Sequence, residues 1–101
     1  MLTPFDDDLR VLRLAASEIA ALRTDWDCVA GGAPGHDFRH ALARANDVIH
    51  GARSEIERGR HPAPTWRQRH QESARAARRL LVRRQLAYYA HWWPAERRYL
   101  G

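Results

Sequence analysis

The sequence lacks most of the features that would assign it to a chemical class. Its only cysteine, Cys28, excludes an internal disulfide. No apolar run approaches the roughly 20 residues that span a bilayer, which excludes a transmembrane helix. No phosphate loop, zinc-finger pattern or metalloprotease motif is present, so nothing identifies a reaction or a cofactor. The acidic start, residues 1–8, lacks the basic and apolar regions of a signal peptide, and we therefore expect a cytoplasmic protein.

Lysine is also absent, and positive charge is concentrated in one half of the chain. All 17 basic residues are arginine. Residues 1–50 contain five arginines and eight acidic residues, a net charge of −3, whereas residues 51–101 contain twelve arginines and four glutamates, a net charge of +8. A GC-rich genome would explain the absence of lysine, and so would selection of arginine for bidentate contacts with phosphate or carboxylate. The basic half predicts an acidic partner, either nucleic acid or an acidic protein face.

Apolar residues recur at three- and four-residue steps, which indicates helices. The glycines and prolines of residues 31–35 and 59–64 separate three such patterns, and Pro94 is expected to end or kink the third. The predicted fold is all-α, a single domain over residues 1–101 that forms a small antiparallel three-helix bundle with a long C-terminal helix and a short helical tail after Pro94. The helices are expected at about residues 4–30, 37–58 and 66–93.

The third helix carries two stripes of residues. The stripe expected to face the core consists of Trp66, Ala74, Ala77, Leu80, Leu81, Tyr88 and Trp92. Arg84 falls within this stripe, so we expect it either to pair with a carboxylate such as Glu18 or Asp25 or to extend past the edge of the core.

The second stripe lies on the opposite side of the same helix, and folding does not require it. It consists of Arg75, Arg78, Arg79, Val82, Arg83, Leu86, Tyr89 and Trp93. Arginine, tyrosine and tryptophan are enriched at protein–protein hot spots, which favours a protein partner or self-association. Arginines also neutralise phosphates and aromatic rings stack on bases, which favours nucleic acid. The remaining alternative is that this stripe packs against the first helix or the C-terminal tail.

A polar stripe on the second helix suggests a metal site. It consists of His36, His40, Asp47 and His50. His36 and His40 have the spacing that lets two imidazoles meet one metal ion. However, His40 and Asp47 lie about 10 Å apart along the helix axis. We therefore expect a solvated face or a pH-sensitive contact.

The run from Arg44 to Gly51 resembles the active-site motif of the HEPN family of small helical ribonucleases. That motif is an arginine, a polar residue soon after it, and a histidine four to six residues later. The resemblance implies metal-independent RNA cleavage by Arg44 and His50, usually across a dimer, with Asn46 or Asp47 in support. In the family the polar residue directly follows the arginine, whereas here Ala45 intervenes. The alternative is an exposed arginine and histidine on an amphipathic helix.

Together these features predict a small non-enzymatic binding protein whose third helix docks on a protein partner or a nucleoprotein machine. A regulator, an adaptor or an inhibitor encoded by a phage or mobile element would fit this description. The alternatives are a direct nucleic-acid-binding protein, a ribonuclease that uses Arg44 and His50, and a homodimer formed through the aromatic end. No cofactor and no membrane association are expected.

Overall fold

The computed structural model consists of three helices, α1 (Asp6–Ala30), α2 (His36–Glu57) and α3 (Thr65–Leu100). It describes the backbone of residues 4–30 and 35–100 and the side chains of residues 4–28 and 35–90. The predicted all-α fold is confirmed, and no strand occurs within these described ranges. The starts of α1 and α2 and the end of α2 lie within two residues of their predicted positions, the usual uncertainty of helix ends.

The C-terminus differs from the prediction. Residues 94–100, expected as a short helical tail, continue α3 without interruption through Pro94. A proline removes one backbone hydrogen bond but has a φ compatible with a helix, so a helix can continue past it. Trp92 and Trp93 lie outside the residues whose side chains are described.

One apolar core runs through the bundle. Its largest fully buried side chains are Leu12 and Phe38, and the indole of Trp26 stacks on the Phe38 ring with centroids 4.3 Å apart. Small residues line much of α2 and α3, so the two helix backbones approach closely. The buried members of the cluster on α2 and α3 are Phe38, Ala41, Leu42, Ala45, Val48, Ile49, Ala52, Trp66, Ala77 and Leu81.

Contacts between the helices establish an up-down-up arrangement. Trp26, near the end of α1, meets Phe38, near the start of α2, so these helices are antiparallel. The N-terminal turn of α1 contacts the N-terminal turn of α3 through Asp8 and Trp66, whose Nε1 donates to Oδ1 at 3.4 Å. Because α1 and α3 are parallel, α2 is antiparallel to both of its neighbours, as predicted.

Gly59 terminates α2 and turns the chain toward α3. Its φ of +75° lies in the left-handed region, which glycine adopts without a Cβ penalty. The N–H of Gly59 donates to the Ile56 carbonyl and the N–H of Arg60 donates to the Glu55 carbonyl, both at 2.9 Å. These two bonds form a Schellman motif that satisfies the last carbonyls of α2.

Among the described side chains of α3, the last buried one is Leu81, earlier than the apolar pattern predicts. Beyond Leu81, Gln85 is half-buried and the other residues through Ala90 are exposed. The prediction that Tyr88 belongs to the core is therefore wrong. Of the two alternatives for Arg84, its exposure fits a side chain that extends past the edge of the core. The physical reason is that Trp26 and Phe38 are the final described layer of buried side chains that α1 and α2 supply at this end.

Candidate functional site

Three apolar side chains form an exposed row on α3 immediately after its packed part. Val82, Leu86 and Tyr89 are 44%, 64% and 57% exposed. Steps of four and three residues place them on one helix face over about 10 Å. Tyr88 lies edge-on to Tyr89, with ring centroids 5.6 Å apart, and widens the patch. Single exposed apolar residues are common on protein surfaces, but an ordered row of them indicates an interaction site. We call Val82, Leu86 and Tyr89 the apolar row.

Four arginines adjoin the apolar row. Together with Val82 they line a shallow concavity of about 360 Å³ that no carboxylate lines. Among the described residues, no carboxylate lies within 4.0 Å of the side-chain nitrogens of Arg75, Arg79 or Arg83. Like charges four residues apart on a helix destabilise it by about 0.2–0.5 kcal/mol per pair. An anionic ligand would remove this repulsion. We call Arg75, Arg78, Arg79 and Arg83 the arginine cluster.

Arg78 differs from the other members of the cluster because it also contacts α1. Its Nη2 donates to Oε1 of Glu18 on α1. Glu18 was one of two carboxylates considered for a buried Arg84, but it lies level with the part of α3 that carries Arg78. The other Glu18 oxygen lies 3.6 Å from Nε2 of His70. Arg78 therefore contributes to packing between α1 and α3 as well as to the basic surface.

A second concavity, which helix-by-helix interpretation of the sequence missed, lies between α2 and α3. It measures about 400 Å³, and its polar lining comprises Asp37, His40, Arg44, Glu72, Ser73, Arg79 and Arg83. A smaller adjoining concavity of about 200 Å³ shares Arg44 and Glu72 and adds Asp47 and Arg69. We call the two together the α2–α3 groove. Arg79 and Arg83 border both this groove and the arginine cluster, so the two surfaces are continuous.

The histidine stripe of α2 is exposed, as predicted for a solvated face. The His36 and His40 rings stack with centroids 5.9 Å apart. Asp47 and His50 are also exposed. Within the described part of the chain, no three His, Cys, Asp or Glu residues converge in a way that could hold a metal ion.

Arg44 and His50 diverge on α2. Six residues separate them, which corresponds to about 9 Å along the axis and about 120° around it. Arg44 lines the α2–α3 groove, and His50 is exposed elsewhere on the helix. The geometry of one chain therefore does not bring the two side chains to a common point.

His70 is a buried polar residue that the sequence interpretation missed. It is 4% exposed, and neither ring nitrogen has a hydrogen-bond partner among the residues that the structure describes. The helical periodicity does indicate this burial, because His70 lies four residues after Trp66 and four before Ala74. His70 therefore falls on the predicted core stripe, although it was not included in it. Its position beside Glu18 makes it part of the α1–α3 contact rather than of the exposed surface.

A separate cluster of ion pairs fixes the opposite end of α3. Nη2 of Arg67 donates to Asp7 and to Asp8, each at 2.8 Å. The hydrogen bond from Arg67, followed by the bond from Arg10, lowers the pKa of Asp7 below its ordinary value of 3.8. This cluster ties the first turn of α1 to the first turn of α3, far from the apolar row.

The chain has no significant match to a protein-family model, a curated protein or a solved structure. No family match therefore supports the resemblance of residues 44–51 to the ribonuclease motif. In the part of the chain that the structure describes, no helix combines the length and apolar character needed to cross a bilayer.

Proposed function

We propose that this protein is a non-enzymatic binding module that docks on a protein partner through the apolar row and the arginine cluster of α3. The observation that carries this proposal is the exposure of Val82, Leu86 and Tyr89 on a helix whose preceding turns are packed. These residues continue the same helix as the packed turns, so a partner would meet them as one helical face.

A protein partner suits this combination of residues better than other macromolecules do. Aliphatic side chains such as Val82 and Leu86 form no specific contact with phosphates, but each contributes about 1.5–3 kcal/mol when fully buried against another apolar surface. Tyr89 and the neighbouring arginines are residue types enriched at protein–protein hot spots. Arg75, Arg79 and Arg83 would steer an acidic partner toward the apolar row.

Regulation or inhibition of a larger machine is the role we infer for such a module. A helical domain without catalytic groups acts by covering a surface or by joining two partners. Trp93, predicted from the sequence as an additional anchor, lies outside the described side chains, and the proposal does not depend on it.

Capture of partners with matched variants tests this proposal. The baits are the wild type, Leu86→Ala combined with Tyr89→Ala, and Leu14→Ala on α1. Leu14 is a matched control because it is 65% exposed, against 64% for Leu86. We expect the wild type and Leu14→Ala to bind one partner equally, and the double variant to lose at least tenfold in affinity, since hot-spot truncations cost about 2 kcal/mol or more. Equal affinity of all three baits would exclude the apolar row as the binding surface.

Nucleic acid is the second candidate partner, favoured by three arginines that have no carboxylate partner among the described residues. Titration into single-stranded RNA and duplex DNA at several salt concentrations tests it. If phosphates bind here, Arg79→Gln should reduce the magnitude of the slope of log affinity against log salt by about 0.7–0.9. Salt-independent or absent binding would rule out this alternative.

Sedimentation at several concentrations and RNA electrophoresis address the two remaining alternatives. A homodimer through α3 would dissociate in the variant Leu86→Glu. Ribonuclease activity would be lost in His50→Ala, whereas cleavage that persists in this variant would come from a contaminant.

A further inference from the structure

We propose that the α2–α3 groove binds a segment of the partner that carries acidic and basic side chains in a fixed order. This inference rests on the proposed function, because it assumes a protein partner on α3. It adds a second contact area, on α2, and specifies the chemistry of the segment that fills it.

The α3 wall of the groove changes charge along its length. Because α2 and α3 are antiparallel, the start of α2 lies level with Leu80 and Arg83 of α3. Arg83 and Arg79 therefore line the α3 wall nearest the apolar row, with Asp37 on the α2 wall. Arg44 and Glu72 lie farther along the same concavity. The adjoining concavity is lined by two carboxylates, Glu72 and Asp47, and by two arginines, Arg44 and Arg69. Passing away from the apolar row, the charged residues on the α3 wall therefore change from Arg83 and Arg79 to Glu72 and then Arg69.

These groups are not paired with one another. Among the described residues, no carboxylate oxygen lies within 4.0 Å of the side-chain nitrogens of Arg44, Arg79 or Arg83. Among the described residues, Glu72 accepts a hydrogen bond only from the neutral amide of Gln68, at 3.3 Å. The larger concavity between the two helices has a volume of about 400 Å³. This volume lies within the range of about 300–1,000 Å³ typical of ligand sites. The groove thus has room for a partner's side chains between charges that do not neutralise each other.

The mixed lining favours a peptide over a polyanion. Every phosphate of a nucleic acid is negative, so a strand that follows the groove past Arg44 meets the Glu72 and Asp47 carboxylates, and like charges repel. A peptide can place carboxylates opposite Arg44, Arg79 and Arg83 and an ammonium or guanidinium group opposite Glu72. Because Arg79 and Arg83 border both surfaces, a partner on the apolar row can extend into the groove without a break in contact.

Chemical-shift titration of the whole chain with three probes tests the inference. The first probe is a synthetic peptide with a block of glutamates followed by a block of lysines and no apolar residue. The second is a peptide of glutamates alone, and the third is a single-stranded oligonucleotide of the same length. Low ionic strength keeps weak charge contacts measurable. We expect the mixed peptide to bind most tightly and to shift resonances of groove residues.

Three variants test whether peptide binding depends on the order of charges in the groove or only on its positive charge. Arg44→Gln should weaken binding of the mixed peptide by about two- to fivefold, the range of a single exposed ion pair. Arg53→Gln is the matched control, since Arg53 is an exposed arginine about 180° around α2 from Arg44. Glu72→Gln should weaken binding of the mixed peptide but tighten binding of the all-glutamate peptide.

The inference is overturned if the glutamate peptide or the oligonucleotide binds the wild type at least as tightly as the mixed peptide, which would show a polyanion site. It is also overturned if no probe shifts groove resonances. Leu86→Ala combined with Tyr89→Ala should leave peptide affinity unchanged, because the peptide lacks apolar residues. Failure of this inference and failure of partner binding through the apolar row are therefore measured separately.

Discussion

Leu81 and Tyr88 lie seven residues apart on the same face of α3, yet Leu81 is 4% exposed and Tyr88 is 45% exposed. Two turns of helix thus separate a core residue from a surface residue at equivalent positions of one periodic pattern. The boundary of the core falls between them. The apolar row begins at this boundary and shares α3 with the packed residues.

Substitutions on the two sides of this boundary should differ in their effect on stability. Leu81→Ala removes a buried side chain and should lower the free energy of unfolding by about 2–5 kcal/mol. Leu86→Ala should change it by no more than about 0.5 kcal/mol, as is usual at the surface. Urea denaturation followed by circular dichroism measures both. A large loss of stability in Leu86→Ala would show that the apolar row is packed in the folded chain.

His70 should be replaceable by an apolar residue of similar size. Its ring nitrogens are buried without hydrogen bonds, and an unsatisfied buried polar group costs about 1–3 kcal/mol. We expect His70→Leu to unfold at the same or a higher urea concentration than the wild type. His70→Ala should unfold at a lower one, because it leaves a cavity. A destabilised His70→Leu variant would mean that the imidazole contributes a favourable polar contact.

The ion pair between Arg78 and Glu18 should contribute little to stability. The two side chains are 54% and 35% exposed, and exposed pairs contribute about 0.2–1 kcal/mol. A double-mutant cycle with Arg78→Gln and Glu18→Gln should give a coupling energy within that range, and smaller still at high salt. A coupling energy well above it would show that the pair acts as a buried contact that fixes α3 on α1.

Asp7 should make stability depend on pH in the acidic range. Its pKa in the folded chain lies below the ordinary 3.8, first through the hydrogen bond from Arg67. A lowered pKa stabilises the fold above the ordinary value, and this contribution is lost as the pH falls through the folded value. Carbon-detected titration of the Asp7 carboxylate should show its pKa rising toward 3.8 in Arg67→Gln. The rise should be smaller in Arg10→Gln, because Arg10 is the weaker donor to the same group. No rise in either variant would contradict this electrostatic account.

The sequence predicted the helices and most of the core because both depend on local periodicity. Apolar residues at steps of three and four residues specified the buried faces of α1 and α2, and Gly59 marked the end of α2. The surface position of Val82, Leu86 and Tyr89 also followed from periodicity, because these residues lie away from the buried stripe. The partner of that surface stays a prediction.

Other features depend on how far neighbouring elements extend, which periodicity does not encode. Tyr88 and Arg84 continue the buried pattern of α3, but the described side chains of α1 and α2 cover that pattern only as far as the layer of Trp26 and Phe38. The pairing of Glu18 with Arg78 instead of Arg84 has the same cause, since the axial offset between α1 and α3 decides which arginine the carboxylate can reach.

The sequence by itself determined that the chain forms three amphipathic helices, that positive charge is concentrated in the second half, and that one face of the last helix is not needed for the core. These properties follow from residue order along a single helix. Only the tertiary structure decided where the core ends on α3 and that Arg44 of α2 shares a groove with Arg79, Arg83 and Glu72. Such relationships join residues distant in sequence, and the packing offset between helices sets them.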